Sequence, residues 1–140
     1  MAIHRQSDSP GAEGLQRRLD AAHAALLRVH KTIIDHERTR YERARGSLSG
    51  PLEFLQLVLH DPWFAWLRPI SELIAQIDAF TMSREPTEPQ QGEAVLKQAR
   101  DLLAPSESGS AFAREYSRAM QESPDVAIAH GQWRRAVELQ

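Results

Sequence analysis

Leu15, Leu19, Ala22, Leu26, Val29 and Ile33 follow one another at alternating steps of four and three. That spacing puts all six on one seam of an α-helix. A second row of Leu27, Ile34 and Tyr41 widens the seam to the breadth expected of a helix with more than one neighbour. The helix is expected to end near Arg45, where "GSLSGP" supplies two glycines and a proline.

Gly50-Pro51 then opens a second helix, with Pro51 suited to its first position and Glu53 to its first turn. "LEFLQLVL" is apolar nearly all round, which predicts burial on several sides. His60-Asp61-Pro62 interrupts it. Asp61 is a good N-cap and Pro62 a good first helical residue, so a new helix follows. Trp63, Trp66, Leu67, Ile70, Leu73, Ile74 and Ile77 keep a helical stripe through it, and Pro69 is expected to kink it by deleting one backbone bond. "TMSREPTEPQQGE" reads as a loop. A helix over about 90–104 presents Val95, Leu96, Ala99, Leu102 and Leu103 inward, and "APSESGS" ends it. Another, from about Ala111, carries Phe112, Tyr116, Ala119 and Met120. Ser123-Pro124 starts the last, whose face is Val126, Ile128, Ala129, Trp133 and Val137.

No run alternates with period two, so the fold class is all-α. The expected architecture is an up-and-down helical bundle of four main helices, some broken or kinked at proline. The polar, Gly- and Pro-containing residues 1–14 are expected to form a disordered tail, and residues 15–140 a single helical-bundle domain.

Composition narrows the function. With no cysteine there is no disulfide framework, no thiolate chemistry and no Cys-ligated metal, which fits a reducing compartment. The N-terminus lacks the apolar stretch of a secretory signal, and Glu53, Gln56, His60, Asp61 and Arg68 break the longest apolar run. A cytoplasmic location without membrane contact is the expectation. Residues 1–50 hold nine Lys and Arg against six Asp and Glu, while residues 51–140 hold eight against thirteen. The only basic cluster is "ERTRYERARG". Its Arg38, Arg40, Arg43 and Arg45 are spread around a helix and interleaved with Glu37 and Glu42, which reads as a solvated helix end and not as a nucleic-acid footprint.

Six histidines raise the question of a metal in the bundle. Di-metal bundles need a His with a carboxylate or second His three or four positions away. Only Asp20 before His23 meets that spacing outside the tail, so neither metal nor cofactor is expected. His23, His30 and Glu37 share a row at seven-residue spacing beside the apolar seam. Two turns separate neighbours by about 10 Å, too far to share one ion but right for lining a groove or a dimer interface. No phosphate loop, dinucleotide fingerprint or nucleophile elbow is present. No catalytic residue can therefore be named.

The candidate ligand-binding residues are His60, Asp61, Trp63, Trp66 and Arg68, gathered where the chain bends at a helix start. Each also has a structural reading: Asp61 as cap, His60 as helix end, the indoles as core and Arg68 paired to an acid. "LQLVLHDPWFAW", "LRPISELIAQID" and the downstream "REYSRAMQESPDVAIAHGQWRR" resemble a group of small bacterial all-helical proteins without assigned activity, over residues 23–139. The resemblance implies a bacterial helical protein and supplies no activity, cofactor or site residue. The function expected from the sequence is a non-enzymatic binding or interaction module, as a homodimer or with another protein partner. The alternatives are a small-molecule or anion-binding bundle with a pocket near the Pro62 to Pro69 bend and, third, a metal-dependent enzyme.

Overall fold

A computed structural model describes residues 10–83, 85, 88–106 and 109–138. Those residues form six α-helices and one 3-10 helix: α1 Pro10–Arg45, α2 Pro51–His60, the 3-10 helix Pro62–Leu67, α3 Arg68–Met82, α4 Pro89–Leu102, α5 Ala111–Glu122 and α6 Pro124–Glu138. The chain is all-helical, as its periodicity requires. Four main rods are expected from the sequence, whereas the described residues are divided among more and shorter pieces.

At 36 residues α1 is about 54 Å long, against 10 to 15 residues for the other α-helices. It therefore serves as the spine. It packs most extensively on α6, next on α3 and then on α4. Its seam, Leu15, Leu19, Ala22, Leu26, Val29 and Ile33, is buried throughout and joins Ile70, Ile77, Leu96, Tyr116 and Trp133 in one core. The second row is less deep: Ile34 and Tyr41 pack on the core's edge and Leu27 is exposed.

Most element boundaries follow local rules. Gly46, with φ +97°, takes the left-handed conformation that ends α1, and its N–H donates to the Glu42 carbonyl at 2.8 Å. The Ser110 and Ser123 hydroxyls accept from the N–H groups of Ala113 and Val126 at 3.1 and 3.4 Å, capping α5 and α6. The expected tail differs: residues 1–9 lie outside the described residues, but α1 already begins at Pro10, with Glu13 in its first turn.

Two further expectations are corrected. Pro69 does not kink a helix. It occupies the first turn of α3, where its missing N–H costs nothing, and the preceding residues are wound as 3-10 helix, with the Arg68 N–H donating to the carbonyl of Ala65. A continuous α-helix would press the Pro69 ring onto that same carbonyl, so the chain changes helix type at this point. Second, α2 is not buried on several sides. None of its residues is fully buried, and Leu52, Leu55 and Leu59 are 70, 52 and 56% exposed. Its main neighbour is the 3-10 helix, so only Phe54, Leu57 and Val58 reach the core.

Candidate functional site

The bend over residues 60–69 rests on α1 through a buried carboxylate. Glu37 is 1% exposed, and four hydrogen bonds satisfy it. Arg40 Nη1 donates to both oxygens at 2.7 and 3.0 Å, Trp66 Nε1 to Oε1 at 3.0 Å and Arg118 Nη2 to Oε1 at 2.8 Å. Periodicity places Glu37 on a row with His23 and His30 but gives no sign that α5 supplies the second arginine. The row itself faces the bend and α3: His23 lies 3.4 Å from Asp78 and His30 bonds Ser71 at 3.1 Å.

Arg118 spreads its donors over Glu37, Glu115 and Glu122, and Glu122 also holds His36 at 2.9 Å. Burial opposes the Arg118 charge, but the three carboxylates more than offset it and its pKa rises. Burial likewise opposes the Glu122 charge, yet His36, Arg118 and Arg40 together hold its pKa below the usual value. The expected solvated arginines are thus only partly that. Arg40 and Arg45 lie over the Trp63 ring at 5.1 and 5.6 Å, and Arg38 over Phe54 at 4.7 Å.

On the far side of α5, the Tyr116 hydroxyl meets His130 Nδ1 at 2.7 Å in the core. Burial raises the Tyr116 pKa. Burial, then the nearby Arg134, lowers that of His130 below 6.5, against a small opposing effect of Glu138, and burial lowers that of His30. The unfolded chain therefore binds more protons than the folded one just below that value, and stability is complete above it and lost as pH falls. The urea midpoint should hold steady from about pH 8 to 6.5 and drop toward pH 5, with His130→Gln flattening the drop. A midpoint that stays level or rises on acidification contradicts this.

The five residues singled out at the bend separate. Asp61 accepts from the Trp63 N–H at 2.8 Å and is a cap; His60 is exposed at the end of α2. Trp63 packs edge-on to Tyr41 at 5.5 Å, and its buried Nε1 has no hydrogen-bond partner among the described residues. Trp66 is half-buried between Glu37 and Phe112. Arg68 borders a cavity. That cavity, of about 170 Å³, lies between α1, α2, the 3-10 helix and α3. Val58 and Leu59 close one side, Phe64, Ala65 and Leu67 another, and His30, Ser71 and Arg68 supply its polar groups. Arg68 is exposed and makes no ion pair among the described residues, contrary to the pairing expected for it.

No protein-family model, curated protein or solved structure matches this chain. Among the described residues, no helix is long and apolar enough to cross a membrane, and no three His, Asp or Glu side chains are grouped to hold a metal ion.

Proposed function

We propose that this protein works by binding, and that its ligand site is the cavity at the bend. The observation that carries the reading is Arg68, a cation without an ion pair among the described residues, on the rim of a pocket whose other walls are mostly apolar. Ligand sites have that make-up, apolar walls with few placed polar groups. A thermal-shift screen of small anions and neutral molecules tests the reading. At least one ligand should raise Tm for the wild type, with most of the gain lost in Arg68→Ala; equal gains in the two proteins for every ligand would sink it.

Protein interaction, the first expectation from the sequence, draws support from a separate observation, the exposed Leu52, Leu55 and Leu59 on one face of α2. Three leucines fall at or below the few hundred Å² typical of functional patches, and far below the roughly 1,200 Å² of a stable interface. The occupant this favours is a second copy of the chain, held weakly by the same face. Sedimentation should then show self-association only at high concentration, abolished by Leu55→Glu; an unchanged monomer at every concentration would remove it. An up-and-down order of four rods, a bacterial source and a cytoplasmic location belong to the same proposal. The single residue Ser123 between α5 and α6, which pack together, supports the first of these.

A further inference from the structure

Resting on the reading of the bend cavity as a binding site, we propose that its ligand is a monocarboxylate with an apolar body of about six carbons, seated tail inward with its carboxylate on Arg68. Size comes first. An apolar protein cavity of about 150 Å³ takes a benzene molecule, so about 170 Å³ holds a six-carbon chain or one aromatic ring and little more. The inner walls, Val58, Phe64 and Leu67, suit such a body and offer it no hydrogen bond.

The head group follows from the polar inventory. His30 and Ser71 satisfy one another at 3.1 Å, and the Ser71 hydroxyl also approaches the Leu67 carbonyl at 3.4 Å. Neither needs a ligand. Burial lowers the pKa of His30, and among the described lining residues Arg68 is the permanent cation and none is an acid. One guanidinium fork matches one carboxylate in a bidentate pair. A phosphate dianion would want several donors around it, and an alcohol or amide would accept from the fork without neutralising its charge. Leu59, Ala65, Arg68 and Ser71 of the lining are exposed, so the cavity opens to solvent beside them.

Hexanoate and benzoate are the probes, with hexanol and benzyl alcohol as neutral isosteres, decanoate as the long chain and inorganic phosphate as the bare anion. Titration followed by amide chemical shifts should localise hexanoate to Ala65, Arg68 and Ser71. It should bind at least tenfold tighter than hexanol, decanoate or phosphate. Arg68→Ala should erase the tenfold advantage over hexanol, and Arg68→Lys restore part of it. Arg68 is exposed and has no ion pair among the described residues, so both variants should fold, which their circular dichroism melts check. Val58→Phe, which fills the cavity, should abolish binding of acid and alcohol alike; if the folded variant still binds hexanoate there, the assignment falls. If hexanol equals hexanoate, or phosphate exceeds it, the carboxylate is overturned while the cavity reading stands. If no probe shifts any cavity residue, both fall.

Discussion

Glu37→Ala should cost about 3 kcal/mol of folding stability, the low end of what removing one partner from a buried ion pair costs. The carboxylate is the meeting point of α1, the 3-10 helix and α5, with donors arriving from Arg40, Trp66 and Arg118. Taking it away orphans the Trp66 N–H, worth about 1 to 3 kcal/mol, and leaves two guanidiniums without their buried partner. Two facts keep the loss from being larger. The arginine side chains are 33 and 23% exposed, and both retain Glu122. Glu37→Gln should recover part of the loss, because an amide oxygen still accepts from the indole. Urea unfolding of Glu37→Ala, Trp66→Phe and the double variant gives the comparison; strict additivity would mean that the bond between indole and carboxylate contributes no coupling. Exposed pairs such as Lys31–Asp35 and Lys97–Asp101 should contribute no more than about 0.5 kcal/mol each, so the contrast tests burial and not merely charge.

Trp133→Ala should cost about 3 to 5 kcal/mol in all. Trp133 is 2% exposed and heads the fully buried side chains by volume, on the helix that packs most extensively against α1. For a domain with a typical stability of about 5 to 15 kcal/mol, such a loss takes a large part of the total. The expected signature is a fall in urea midpoint with little change in slope. A loss under about 1 kcal/mol would show that the indole is not packed as described.

The two tryptophans of the bend are less informative than they look in the sequence. Their crowding with His60, Asp61 and Arg68 suggests one site, but chain proximity in a 3-10 helix does not point side chains the same way. Trp63 and Trp66 turn to α1 and α5, Asp61 turns back to its own helix, and Arg68 turns outward to the cavity. Periodicity reports which residues share a face, and this segment's face is set by a change of helix type that 3.6-residue spacing does not describe.

The same limit explains α2. A run of apolar residues says that water is unfavourable for them, and only the number of neighbouring elements decides whether they escape it. Here one side meets the 3-10 helix and the other meets none of the described helices closely enough to be covered.

By itself the sequence determined the helical class, the seam of α1 and most helix ends, because these depend on contacts within a few residues: 3.6-residue spacing, proline's missing N–H, a serine or aspartate cap and a left-handed glycine. Only the tertiary structure decided that Glu37 is buried and that Arg68 makes no ion pair among the described residues. The first depends on a side chain from a distant part of the chain, 81 residues apart for Glu37 and Arg118, and a charge is buried according to whether such a partner arrives.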